Sequence, residues 1–121
     1  MKRKIKAACL GVLAAFVLVD YANAQSPEQI SRDRTIFMIN TYATYAAVRF
    51  TPDFDSSQCN PDSTLNNAVI IDFGANKDAK AMYAAALSAQ LTGKKVGFGI
   101  AGCFSKFGGG VPNAYRVDIS D

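Results

Sequence analysis

Beyond residue 33 the apolar positions fall into six segments, five with the period of a strand and one with the period of a helix. In residues 34–40 the run Thr35-Ile36-Phe37-Met38-Ile39 is short and rich in β-formers, which predicts a first strand. Residues 41–46 hold Tyr42 and Tyr45 among small neighbours and suit a hairpin connection. In residues 47–51, Val48 and Phe50 alternate with Arg49 and predict a second strand, which Pro52 ends or marks as an edge. Residues 53–67 are crowded with Asp, Asn, Ser and Pro, as a long polar loop requires. Residues 67–74 give a third strand centred on Ala68-Val69-Ile70-Ile71. In residues 95–103, bulky Val96, Phe98 and Ile100 alternate with Gly97, Gly99 and Ala101, so one face of this strand is nearly bare and open to close approach by a backbone or an alanine-rich helix. The last strand, residues 114–120, sets Tyr115, Val117 and Ile119 against Arg116 and Asp118.

The helical segment is residues 76–93. Asn76 is a suitable N-cap, Asp78 suits the first turn, and Gly93 is the expected residue just past the end. Ala79, Tyr83, Leu87 and Leu91 recur at i, i+4, with Met82 and Ala86 widening the stripe. The alanine-rich surface suits close packing, on the domain's own sheet or between copies of the chain.

The resulting order, β-β-β-α-β-β, is that of a mainly β (α+β) domain and matches a five-stranded OB-fold-like barrel, although other small α+β sheets share it. The domain spans residues 34–121. Residues 25–33 are polar, hold Pro27 and read as a flexible N-terminal arm.

Residues 1–24 have the form of a secretory signal peptide. Lys2, Arg3, Lys4 and Lys6 precede an apolar stretch from Ala7 to Val19, and Ala22-Asn23-Ala24 fits the small-x-small cleavage rule. The apolar stretch is short for a membrane span of about 20 residues. Export to the periplasm or beyond the cell follows, with no membrane attachment after signal cleavage. This segment also changes the charge argument. It holds four of the 13 Lys and Arg residues and one of the 10 Asp and Glu residues, which leaves nine of each beyond it. The remaining chain is neutral and offers no basic patch for nucleic acid.

Two of the three cysteines, Cys59 and Cys103, lie beyond the signal-like segment. An even pair in an exported chain predicts a disulfide. A reactive thiol or a half-built metal site are the alternatives, and the absence of histidine leaves little to complete the latter. The bridge would close a loop worth roughly 3–4 kcal/mol on a chain-entropy basis.

Catalytic chemistry is thin. Without histidine there is no Ser-His or Cys-His pair and no imidazole base. Gly108-Gly109-Gly110 leads to Pro112 and a strand, not to a helix, and reads as a loop. Asp53, Asp55 and Asp62 lack the spacing of an EF-hand and read as a solvated turn. Spacing alone does not exclude a carboxylate pair for glycoside hydrolysis, but beyond the signal-like segment Glu28 is the single glutamate, it lies in the expected arm, and so small a domain offers little room for a deep cleft. The expectation is a non-catalytic binding domain with no cofactor and no metal. Tyr42, Tyr45, Phe104, Phe107 and Tyr115 are its candidate ligand-contacting rings, each of which could instead plug the core or a barrel end. The expected partner is a glycan or another exported protein, with a homo-oligomer through the alanine-rich helix as a further possibility.

The stretch AKAMYAAALSAQLTGKKVGFGIAGC resembles a recurring segment of small exported bacterial proteins, in which a Gly- or Ala-Lys-Ala-Met-Tyr start opens an Ala/Leu-rich helix, a Gly-Lys pair closes it and a strand ends in Gly-Cys. An aromatic-bearing closing strand follows, like Tyr115-Arg116-Val117. The likeness runs from Thr35 to Ile119 and extends to the OB-fold binding (B) subunits of AB5 toxins of the subtilase-cytotoxin and typhoid-toxin kind. It implies an OB-fold, ring pentamers with the helix lining a central pore, and binding of sialylated glycans. The glycan-contact motifs of those subunits have no counterpart here, and this chain lacks tryptophan, so no contact residue is carried over.

Overall fold

The computed structural model describes residues 27–56, 58–59, 66–106 and 110–120. The signal-like segment, Asp62, Phe107 and two of the three consecutive glycines lie outside them. The described residues form five strands and one helix in the order expected: β1 (Glu28–Thr41), β2 (Tyr45–Thr51), β3 (Ala68–Asp72), α1 (Ala79–Thr92), β4 (Lys95–Phe104) and β5 (Val111–Ser120).

The strands make one mixed sheet. β1 pairs antiparallel with β4 through its first half, Glu28 to Arg34, and with β2 through its second half, Thr35 to Thr41. β2 pairs with β3, and β4 with β5, again antiparallel. β3 meets β5 in parallel, registered at Ile70 and Asn113. The pairings therefore run β1-β2-β3-β5-β4 and return to β1. The β3–β5 seam is the thinnest of them. A parallel pair needs a long crossover, and α1 lies within it.

Strand alternation sends two sets of side chains to opposite faces. Val48, Phe50, Val69, Ile71, Val96, Phe98 and Ile100 point inward and form the main core with Ile30 and Ile36. Ala79, Met82, Ala86 and Ala89 of α1 close that core. Tyr45, Ala47, Ala68, Ile70, Phe104 and Val111 form a second, smaller cluster on the outer face. Burying a Phe or Ile side chain is worth roughly 1.5–3 kcal/mol, so the main core dominates stability.

Several boundaries and faces differ from expectation. β1 begins at Glu28, so residues 28–33, expected in a loose arm, are strand. Their apolar content is low, but Ile30 is fully buried opposite Phe98, and ladder pairing with β4 supplies the rest. β2 begins at Tyr45 and β5 at Val111, each taking in residues expected in a connection. The helix starts later than Asn76. Asp78 is the N-cap position, and Asn76 Oδ1 instead accepts the Asp78 backbone N–H at 2.8 Å in a local turn. Gly93 ends the helix in the left-handed conformation, as expected (φ 69°).

The buried stripe of α1 is also not the one expected. Ala79, Met82, Ala86 and Ala89 are buried, while Leu91 is 85% exposed. An unbroken i, i+4 run advances roughly 40° per step, so by Leu91 it has turned roughly 120° from Ala79. Tyr83 keeps a flanking place. Its ring meets Phe73 edge-on at 5.6 Å and its hydroxyl is 2.8 Å from Thr41 Oγ1.

The bare face of β4 is approached, as one alternative expected, by another strand's backbone: the Ile30 carbonyl and the Arg32 amide of β1 lie against Gly97, and the helix does not cover it. Register shifts in the β4–β5 ladder make Tyr115 an extra residue between the Gly99–Arg116 and Ile100–Ala114 pairs. Tyr115 therefore leaves the inward row of Val117 and lies over Gly99, while Arg32 lies over Gly97.

Cys59 and Cys103 form the disulfide, with Cα atoms 5.7 Å apart. It ties the polar loop after β2 to the end of β4. The same loop is held at its start by Arg34, which donates to the Pro52 and Asp53 carbonyl oxygens, and by Ser56, which donates to Glu28 Oε1 at 2.7 Å.

Candidate functional site

The outer face of β2 and β3 carries the feature that best suits a ligand. The turn at residues 42–44 is closed by the Tyr42 N–H donating to the Tyr45 carbonyl oxygen at 2.8 Å. It presents Tyr42 at the sheet edge, 48% exposed. Its ring stacks on Tyr45 with centroids 4.6 Å apart and planes 23° apart. Tyr45 in turn meets Phe104 at 4.7 Å. The exposed ring thus rests on two buried ones, which fixes its position at low entropic cost when a ligand stacks on it. The Lys106 ammonium lies 5.3 Å from the centre of Tyr45.

Beside Tyr42 is a recess of about 150 Å³. Its floor is aliphatic: Ala47 of β2, Ala68 and Ile70 of β3, and Val111 of β5. Asn40 and Arg49 complete the lining as its two polar side chains other than the tyrosine. Arg49 Nε donates to Asn67 Oδ1 at 3.0 Å, and the guanidinium stands 5.7 Å from the centre of the Phe37 ring. That leaves the terminal nitrogens of Arg49, and the whole amide of Asn40, without another hydrogen-bond partner among the described residues.

Of the rings expected to contact a ligand, Tyr42, Tyr45 and Phe104 come together. Tyr45 and Phe104 are buried and act as the support, and Tyr42 is the ring that a ligand can reach. Tyr115 is exposed but belongs to another hollow. That one, about 360 Å³, lies between Asn113, Ala114 and the start of α1. The Arg116 guanidinium is 5.5 Å from the Tyr115 ring. Phe107 lies outside the described residues.

Asn40, Arg49, Ala47 and Ala68 line the recess but were not among the expected contact residues. The period-two pattern carried a signal for one of them, since Arg49 is the lone charge in a strand otherwise Tyr, Ala, Val, Phe and a terminal Thr. The small residues gave none, because a recess depends on which strands become neighbours.

Elsewhere the polar groups are structural. Asp33 is exposed beside Arg34, whose hydrogen bond holds its carboxyl below the usual carboxylate range. Gln29, Arg116 and Asp118 bond to one another across β4. Among the described residues no group of three or more His, Cys, Asp or Glu side chains could share a metal ion, and no helix is long and apolar enough to cross a membrane.

The chain matches no family model, no curated protein and no solved structure.

Proposed function

We propose that the protein is an exported, non-catalytic domain of the OB-fold kind that binds a glycan on the outer face of β2 and β3. The observation that carries this reading is Tyr42, an exposed ring seated on a buried aromatic stack at the rim of a recess with spare hydrogen-bond donors. A flat ring with polar neighbours is what a sugar face requires. The strand order β1-β2-β3-β5-β4 with a helix between β3 and β4 supports the fold reading. OB-folds use the face of strands 2 and 3 and the adjoining 1–2 and 4–5 loops for oligosaccharides and oligonucleotides. The balanced charge beyond the signal-like segment weighs against nucleic acid. The Cys59–Cys103 disulfide is in keeping with an oxidising compartment. The sequence likeness to toxin B subunits points the same way, at the level of fold analogy.

A glycan array probed with the oxidised, signal-free protein tests the reading. Binding to a restricted set of glycans, lost in Tyr42→Ala, is the expected result. A folded, oxidised sample that binds nothing above background removes it.

A second reading, association through α1, rests on Leu91. This residue is exposed, and Ala81, Ala84 and Ser88 are exposed on the same helix. Small side chains with one projecting leucine suit the approach of a second copy or another exported chain. Light scattering decides, since a monomer at high concentration excludes self-association, including a pentameric ring.

A further inference from the structure

We infer that the recess beside Tyr42 is a subsite for an acetamido group, so that the glycan taken is one bearing a neutral N-acetylhexosamine. The inference rests on the glycan reading above and assigns the chemistry of one part of that site. At about 150 Å³ the recess is too small for a disaccharide and about the size at which an apolar cavity accommodates a benzene-sized group. It therefore suits a substituent, with the sugar ring left outside against Tyr42.

The floor selects among substituents. Ala47, Ala68, Ile70 and Val111 offer no hydrogen-bonding side chain to whatever enters. A hydroxyl placed there would lose its water partners without replacement, at a cost of the order of 1–3 kcal/mol. A carboxylate would lose more. A methyl group gains from the same surface. The rim then distinguishes a plain methyl from an acetamido methyl. Arg49 has its terminal N–H groups to donate, and the Asn40 amide can both accept and donate. An acetamido group carries a carbonyl acceptor and an N–H donor next to its methyl. One group thereby uses the floor, the guanidinium and the amide, whereas a deoxy-sugar methyl would leave both rim side chains unused.

The test is a set of titrations of the oxidised, signal-free protein, followed by NMR, with N-acetylglucosamine, N-acetylgalactosamine, glucose, galactose, glucosamine and blocked Nε-acetyllysine. The acetylated sugars are expected to bind at least tenfold more tightly than the other sugars, with the strongest saturation transfer from protein to ligand at the acetyl methyl. Ala68→Leu, which fills the floor, should erase that preference. Arg49→Gln, which removes the guanidinium without touching the floor, should weaken acetylated sugars several-fold and shrink their advantage over glucose. The two variants fail independently if one does not fold. Equal binding of acetylated and plain sugars overturns the subsite and leaves the glycan reading in place. No binding of any sugar overturns both. Equal competition by acetyllysine shows a pocket for acetyl groups that is not specific to sugars, and overturns the assignment to a glycan.

Discussion

A β-carbon placed on Gly97 would stand 2.5 Å from the carbonyl oxygen of Ile30 on the neighbouring strand. No real β-carbon comes that close to a backbone oxygen, so the β1–β4 ladder is built around a missing side chain. At Gly99 the same construction meets Tyr115 Cζ at 2.7 Å, the far end of an exposed side chain that can swing aside. Gly97→Ala should therefore cost about 2–3 kcal/mol, the upper range for overpacking, and Gly99→Ala about 1 kcal/mol or less. Urea denaturation of the two variants beside the parent checks the contrast, and equal losses would contradict it.

The disulfide joins the polar loop after β2 to the end of strand β4. Replacing Cys59 and Cys103 together by serine should lower stability by roughly 3–4 kcal/mol, because the loop is released in the unfolded chain. The same shift should follow from adding reductant to the parent. Mass before and after alkylation reports the thiols directly.

Met82 and Leu91 separate the buried from the exposed side of α1. Met82→Ala should cost about 2–3 kcal/mol through the lost contact and the cavity left behind. Leu91→Ala should leave the melting temperature within experimental error. If α1 mediates association, Leu91→Lys should shift the mass in light scattering without changing monomer stability.

Asn113 holds the β3–β5 seam, and its side-chain oxygen is buried with no hydrogen-bond partner among the described residues. Replacing it with valine removes the unpaired oxygen and adds a residue that favours strands. The expected gain is about 1 kcal/mol, read as a higher denaturation midpoint at constant slope.

Tyr42 is half exposed and its support, Tyr45, is not. Tyr42→Ala should abolish sugar binding while costing about 1 kcal/mol of stability, the value of one aromatic contact. Tyr45→Ala should lose both binding and about 3 kcal/mol of stability, since it empties the outer cluster. Calorimetric titration paired with thermal melts distinguishes the two.

The glycine contrast at β4 also marks how far reading along the chain reaches. The alternation of Val96, Phe98 and Ile100 with glycine identified a strand with one bare face. It could not say that the β1 backbone at Ile30 and Arg32 covers Gly97 and that Tyr115 covers Gly99, because the cover comes from strands that become neighbours only on folding. Tyr115 was expected beside Val117, and one inserted residue in the ladder moved it to the other side. A strand period of two makes any such insertion invert every face assignment beyond it.

Five strands, one helix, their order and the Cys59–Cys103 pair were determined by the sequence alone. Each rests on local periodicity, on turn and cap residues, or on an even cysteine count, and these need no knowledge of neighbours. Tertiary structure decided the rest: which helix stripe is buried, that residues 28–33 are strand, and that Tyr42 sits on Tyr45 and Phe104 beside Asn40 and Arg49. That grouping draws on β1, β2, β3, β4 and β5, from Asn40 to Val111. Contacts between segments so distant in the chain are set by sheet closure and packing, for which no single stretch carries the signal.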